Sequence, residues 1–180
     1  MNAEGAYATT RIEAGDTRSG FRSGVHALDD YFTRHALVND VAGVGRAYVL
    51  RRSDADDATL PEVLGFYTLS MAQIESKDAA EVLKKRLPRY PLPAALIGRL
   101  AVDERARGRR LGECLLIDAL RRVVDTAAHI GCVGIVVDAK EAGAGAFYAK
   151  YNFVEVEDLG WPRRMFMALE TARSALSTEG

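Results

Sequence analysis

The apolar positions of the chain follow a helical period in some segments and a strand-like period in others. Helical spacing runs from Ser23, a suitable N-cap, to about residue 35, and a second apolar stripe covers 111–127. Shorter helices are predicted over 76–87 and 144–151. The pattern therefore predicts helices that each present one apolar face to a core.

Strands are predicted where valine, isoleucine, leucine and aromatic residues cluster between turn residues, at 8–13, 46–52, 62–74, 94–102, 133–137, 153–156 and 164–169. The polar turn Ser53–Thr59 indicates an antiparallel hairpin between the second and third of these strands. The order of elements predicts an α/β (α+β) fold. In it, helices cover both faces of a mixed, largely antiparallel sheet of about six to seven strands.

The organisation of the chain predicts a single domain over residues 1–180. Its core is expected at about 8–170, since no linker, repeat or low-complexity segment interrupts that range. The ends, at 1–6 and 172–180, are expected to be frayed.

The composition of the chain limits the classes of function that the protein could have. The 180 residues are 48% hydrophobic and 27% charged with a net charge of −1, which is typical of a globular protein without a global basic field. Nucleic-acid binding would therefore need a local patch, and basic residues do cluster over 84–89 and 105–110. The two cysteines lack metal-ligand spacing, so no metal site is predicted. Neither a signal peptide nor a membrane span is recognisable, so a cytoplasmic location without membrane contact is expected.

A basic turn joins the predicted strand 94–102 to the long predicted helix. Three arginines and two glycines lie within Arg107–Gly112, at the start of the helix. Backbone N–H groups at a helix N-terminus, together with cations, bind phosphate groups well. This turn is therefore a candidate pyrophosphate site. The alternative is a solvated connector between strand and helix.

Tyr148 is the candidate catalytic residue. It lies in Ala146–Phe153, within the helix predicted after the strand 133–137. A phenol can act as a general acid that protonates a leaving group. The alternative is a core aromatic. No general base stands out, although Glu104, Asp138 and Glu141 lie near the candidate segments in sequence.

Two of these segments resemble the acetyl-CoA site of the GNAT superfamily of N-acetyltransferases. The resemblance implies that Tyr148 is the general acid. It also implies that acetyl-CoA binds to Leu100, Ala101, Val102, Arg107, Gly108, Arg109, Arg110, Leu111, Gly112 and Glu113. Arg110 stands where the family usually has a glycine, which would cost about 1 kcal/mol if that position requires a positive φ. Asn152 also replaces a usual glycine, but asparagine tolerates a left-handed helix end.

A closer resemblance covers nearly the whole chain, through Phe21–Tyr31, Leu64–Ser70, Leu87–Pro93, Arg99–Asp103 and Leu111–Leu120. These segments look like the TacT/AtaT-type toxins of bacterial toxin–antitoxin pairs. The resemblance implies acetylation of the α-amine of aminoacyl-tRNA, a homodimer, and a ribbon–helix–helix antitoxin. Candidate tRNA contacts are Arg34, Lys84, Lys85, Arg86 and Arg89. Two alternatives remain open: a GNAT enzyme that acetylates a small amine or a protein N-terminus, and a non-catalytic module that binds CoA or a partner.

Overall fold

The computed structural model of the protein describes residues 8–54, 56–156 and 160–178. Within these ranges the strands are β1 (Thr9–Arg11), β2 (Arg46–Arg51), β3 (Val63–Ile74), β4 (Leu92–Val102), β5 (Gly134–Ala139), β6 (Val154–Glu155) and β7 (Arg163–Ala168). The helices in the same ranges are α1 (His26–Arg34), α2 (Ala36–Val41), α3 (Ser76–Leu83), α4 (Leu111–Ala127), α5 (Ala142–Lys150) and α6 (Leu169–Thr178).

The strands form a seven-stranded sheet in the order β1-β2-β3-β4-β5-β7-β6 over the described part of the chain. The predicted hairpin is confirmed, because β2 and β3 pair antiparallel. The pairs β1–β2, β5–β7 and β6–β7 are antiparallel as well, whereas β4 and β5 run parallel. The prediction of a mixed, largely antiparallel sheet is therefore confirmed.

The described chain divides into two compact units. One consists of the part up to Ser70 with Arg99–Ala119, and the other of Met71–Gly98 with the part from Leu120 onward. The core of the first unit is an aromatic cluster in which Phe21 and Phe32 both pack on Phe66, at ring-centroid distances of 5.4 and 4.7 Å. The core of the second unit is built around aliphatic residues and the fully buried ring of Phe166.

Two predicted helix boundaries are wrong. Helix α1 begins at His26, not at Ser23, because the carboxylate of Asp29 reaches back and accepts from Ser23 N at 2.8 Å and Ser23 Oγ at 2.6 Å. The helix predicted over 76–87 ends at Leu83, because Lys84 adopts a left-handed conformation with φ of 54°. Left-handed residues of this kind close helices.

Residues 172–178, which the sequence places in a frayed end, are helical. These residues belong to α6, which is fixed by Ala172, a side chain with no exposed surface. Residues 179–180, and the N-terminal residues 1–6 that were also expected to be frayed, lie outside the described ranges.

Candidate active site

The candidate phosphate turn begins at a buried carboxylate. Asp103 follows β4 directly and has no exposed surface. Its Oδ2 accepts from Arg22 N at 2.9 Å and from Arg105 Nη2 at 2.8 Å, and its Oδ1 accepts from Arg105 N and Arg105 Nε, both at 2.9 Å. Asp103 thereby joins the segment around Arg22 to the short 3₁₀ turn Glu104–Ala106.

Burial opposes the charged form of Asp103, but the hydrogen bonds from Arg105 and from Arg22 N outweigh it. They hold the pKa of Asp103 below its usual value. Sequence reasoning did not single out this residue. The sequence feature that could have identified Asp103 is its position as a carboxylate between an apolar strand and a run of arginines.

The backbone of the turn takes two left-handed conformations. Gly108 has a φ of 81°, which glycine adopts without strain. Arg110 has a φ of 58°, so the position where the GNAT pattern has glycine does require the conformation that glycine favours. An arginine there costs about 1 kcal/mol.

The arginines of the turn differ in what they contact. The side chain of Arg107 donates from Nη2 to Ser23 O at 2.6 Å. Arg110 donates from Nε to Glu113 Oε2 at 2.6 Å. Arg109 is exposed and makes no ion pair within the described ranges. Arg109 does interact electrostatically with the carboxylate of Asp57.

Helix α4 begins directly after Arg110. Cys114 N donates to Arg110 O at 3.1 Å, and the preceding N–H groups, those of Leu111, Gly112 and Glu113, have no acceptor within the helix. The Leu111 side chain is only 2% exposed and belongs to the core, which leaves its backbone N–H as the group that could meet a phosphate.

The last residues of β4 lie outside its ladder with β5. That parallel ladder joins Ala95–Ile97 to Ile135–Val137. Leu100–Val102 therefore carry backbone groups that this ladder does not use. The side chain of Ala101 is buried in the aromatic core of its unit, so only its backbone could bind a ligand.

Tyr148 lies in the other unit, on α5, and is 8% exposed. Its ring packs edge-on against Phe147 at 5.2 Å and Phe153 at 5.4 Å between centroids. Its hydroxyl makes no hydrogen bond to the described residues. Burial raises the pKa of Tyr148 to about 12, so the phenol stays protonated at neutral pH.

Asn152 ends the segment that carries Tyr148. It has a φ of 69°, and its N–H donates to Ala149 O at 3.1 Å. The expectation that asparagine takes the place of glycine at a left-handed helix end is confirmed.

The basic cluster, defined as Lys84, Lys85, Arg86 and Arg89, follows α3. All four side chains are exposed, and none forms an ion pair with another described residue. Arg34 is different, because its Nε lies 3.1 Å from Asp30 Oδ1 and its charge is partly compensated. The charges of the basic cluster are therefore less compensated than that of Arg34.

Two of the carboxylates considered as bases are held by arginines. Glu104 forms an ion pair with Arg22, and Asp138 receives Arg164 Nε at 2.9 Å and Nη2 at 3.0 Å. Both carboxylates are therefore already engaged by a guanidinium. Within the ranges described, no group of three or more His, Cys, Asp or Glu could hold a metal ion. None of the helices there is long and apolar enough to cross a membrane.

Known proteins similar to this chain agree on one class. A tRNA-acetylating toxin from Mycobacterium tuberculosis is 36% identical over 172 residues, which cover 96% of this chain and 98% of that protein. A probable toxin TacT from Sinorhizobium fredii is 30% identical, with 88% of each chain covered. The structure of AtaT complexed with acetyl-methionyl-tRNAfMet superposes with a TM-score of 0.78 at 25% identity, covering 94% of this chain and 98% of that one. No protein-family model matches the chain.

The fold and these similarities define an acyltransferase of the GNAT superfamily. The identity to the mycobacterial toxin extends over nearly the whole length of both proteins. The chain belongs to the TacT/AtaT-type toxins.

Proposed function

We propose that the protein transfers the acetyl group of acetyl-CoA to the α-amine of an aminoacyl group carried by tRNA, and so blocks translation. The observation that carries the substrate class is the 36% identity to a tRNA-acetylating toxin over 96% of the chain. The geometry of the two candidate segments supports the chemistry.

The N-terminus of α4 fits the pyrophosphate of acetyl-CoA. The N–H groups of Leu111, Gly112 and Glu113 have no acceptor within the helix, and positive φ angles at Gly108 and Arg110 shape the turn before it. Arg109 adds an exposed cation, with Arg107 and Arg110 beside it in the turn. Asp103 holds the start of this turn in place. No metal is required for such a site.

The end of β4 fits the amide groups of the pantetheine arm. Leu100–Val102 lie beyond the ladder with β5, which ends at Ile97. An extended ligand can hydrogen-bond to such backbone groups in the way that an added strand does. The bound cosubstrate supplies an activated acetyl thioester.

Tyr148 would act on the leaving thiolate. An α-amine has a pKa near 7.7–8.0, so part of it is neutral at pH 7 and attacks without a strong base. Glu104 and Asp138, two of the carboxylates considered as bases, are each engaged by an arginine. The phenol of Tyr148, whose pKa of about 12 keeps it protonated at neutral pH, donates its proton to the sulfur as the C–S bond breaks. The new amide nitrogen loses its extra proton to water, and the phenolate of Tyr148 regains a proton from water.

The basic cluster would contact the phosphates of the tRNA. Its four side chains are exposed, and none forms an ion pair within the described ranges. Each phosphate contact releases counterions, so acetylation should weaken steeply as salt rises. The near-neutral net charge of −1 makes such a local patch necessary.

Charge reversal tests this assignment. Changing Lys85, Arg86 and Arg89 together to Glu should abolish acetylation of bulk aminoacyl-tRNA and toxicity on expression. It should leave slow acetyl-CoA hydrolysis intact. The matched control reverses the exposed residues Arg18, Arg121 and Arg173, which changes net charge equally. Equal loss in both triple variants would show a general charge effect and contradict a tRNA-binding role for the cluster.

Membership of this toxin family also supports a proposal about the proteins that bind this chain. We expect a homodimer in the cytoplasm, where translation occurs, and neutralisation by a small ribbon–helix–helix antitoxin. Co-expression with a short ribbon–helix–helix protein encoded next to this chain should restore growth. Continued growth arrest in the presence of a folded candidate antitoxin would count against that partner.

A further inference from the structure

Trp161 is the only tryptophan of the chain, and it lies just before β7. It is 45% exposed, which leaves a large aromatic surface in contact with solvent. The guanidinium of Arg163 lies over the ring, with its central carbon 4.6 Å from the centroid. This side chain takes no part in the function proposed above.

The indole of Trp161 packs against the helix that carries Tyr148. A Cβ placed on Gly145 would lie 3.3 Å from Cη2 and 3.6 Å from Cζ3 of the indole, so the absence of a side chain there allows the close approach. Gly145 and Tyr148 are three residues apart and both are buried, so they share one face of α5. Three residues of helix rise by about 4.5 Å. Trp161 therefore lies within about one turn of the residue proposed as general acid.

The arrangement of Trp161 and Arg163 has the chemistry of a base-stacking site. Unpaired bases of RNA are held by stacking on aromatic rings and on planar guanidinium groups. Arg163 is itself placed by Glu155, whose two carboxylate oxygens each lie 3.3 Å from Nη1. A ring that served only to cover Gly145 would not need to keep 45% of its surface exposed.

We propose that Trp161 stacks on the unpaired base at the 3′ end of the charged tRNA. This inference rests on the proposed function. The α-amine that reacts is esterified to the terminal ribose, and the base on that same ribose is present whichever amino acid is attached. Stacking beside α5 would place the ribose, and with it the amine, near Tyr148. Trp161 is thus a positioning residue that acts through the substrate's terminal nucleotide.

A pair of synthetic acceptor-end mimics tests the inference. Each is a trinucleotide with an aminoacyl group joined by a stable amide to the terminal sugar, and one of the two lacks the terminal base. Stacking contributes about 1–3 kcal/mol per base. We therefore expect Trp161→Ala to weaken calorimetric binding of the complete mimic about 5- to 150-fold. Trp161→Phe should recover most of that loss, because it keeps an aromatic face.

The double comparison separates stacking from a structural effect. Removing the base should weaken binding to the wild type by a similar factor and should hardly affect binding to Trp161→Ala, since the two changes remove the same contact. Binding of the complete mimic should also change the fluorescence of the wild-type protein, in which Trp161 is the only emitting indole. The melting temperature and acetyl-CoA affinity of Trp161→Ala should match those of the wild type.

Two outcomes would overturn the inference while leaving the proposed function intact. One is acetylation of aminoacyl-tRNA by Trp161→Ala with an unchanged KM. The other is an equal penalty for the missing base in wild type and variant. A wild-type protein that acetylates no charged tRNA would instead contradict the proposed function itself.

Discussion

Replacing Tyr148 by phenylalanine should slow the enzyme and should not destabilise it. The hydroxyl is the only group removed. In the structure it belongs to a side chain that is 8% exposed and makes no hydrogen bond to the described residues. If the hydroxyl has a structural role, its removal should lower stability and leave turnover unchanged. If it has a catalytic role, its removal should lower turnover and leave stability unchanged.

The expected magnitudes follow from that environment. A buried hydroxyl that lacks a partner costs about 1–3 kcal/mol, and the remaining exposure of Tyr148 lets water offset most of this cost. We expect Tyr148→Phe to keep its melting temperature or to gain up to about 3 °C, since 1 kcal/mol shifts a domain of this size by about 2–4 °C. Loss of the proton donor should lower kcat by about 10²- to 10⁴-fold.

The assay is single-turnover acetylation of a charged tRNA at saturating acetyl-CoA, together with calorimetric binding and thermal unfolding. Tyr151→Phe is the matched control, because Tyr151 is a half-buried tyrosine three residues further along, with no proposed role. Its turnover should stay within about threefold of wild type, as for ordinary surface substitutions. Equal turnover in wild type and Tyr148→Phe would show that Tyr148 is a packing residue and not the general acid. A melting temperature lowered by several degrees would show that its hydroxyl has a structural partner.

Three further predictions concern the phosphate turn and the pH dependence. Gly112→Glu should abolish calorimetric binding of acetyl-CoA by placing a carboxylate at the helix N-terminus, whereas Gly131→Glu, at an exposed glycine, should bind normally. The acetylation rate should rise with pH as the α-amine, with a pKa near 7.7–8.0, loses its proton. The rate should then stay level to about pH 10, because Tyr148 has a pKa of about 12 and remains protonated. A fall in rate centred near pH 10 would contradict the burial of its phenol. Asp103→Ala should lower the free energy of unfolding by about 1–3 kcal/mol at pH 7 and weaken acetyl-CoA binding, since it leaves the backbone N–H groups of Arg22 and Arg105 without their acceptor. Because the pKa of Asp103 is lowered by folding, this difference should be present above about pH 4 and should shrink as chemical denaturation is repeated at lower pH.

The local backbone of the candidate site was predictable where the residues that determine it are adjacent in sequence. Glycines and arginines directly before an apolar stripe predicted a turn at the start of α4, and the structure confirms the turn and the start of the helix. Asn152 was predicted to adopt a left-handed conformation because few other residues tolerate one, and it has a φ of 69°.

Features that depend on distant segments could not be predicted. The roles of Asp103 and Trp161 depend on contacts with Arg22 and Gly145, which are far from them in sequence. Helix α6 was missed because its one deeply buried residue, Ala172, gives no apolar pattern.

The sequence pattern also predicted the wrong end for α3. The basic residues 84–86 were expected in the last turn of that helix, where they would complement its dipole. Lys84 instead leaves the helix in a left-handed conformation, and the basic cluster lies in the exposed segment that follows. A lysine at such a position carries no sequence signal comparable to a glycine.

The most direct test of the proposed function is to identify the product. Purified protein is incubated with labelled acetyl-CoA and bulk aminoacyl-tRNA, and the RNA is then digested to nucleosides and examined by mass spectrometry. The account predicts N-acetyl-aminoacyl-adenosine, formed with wild type and strongly reduced with Tyr148→Phe. Acetylation of a polyamine or a peptide N-terminus, with no acetylated aminoacyl-adenosine, would contradict it.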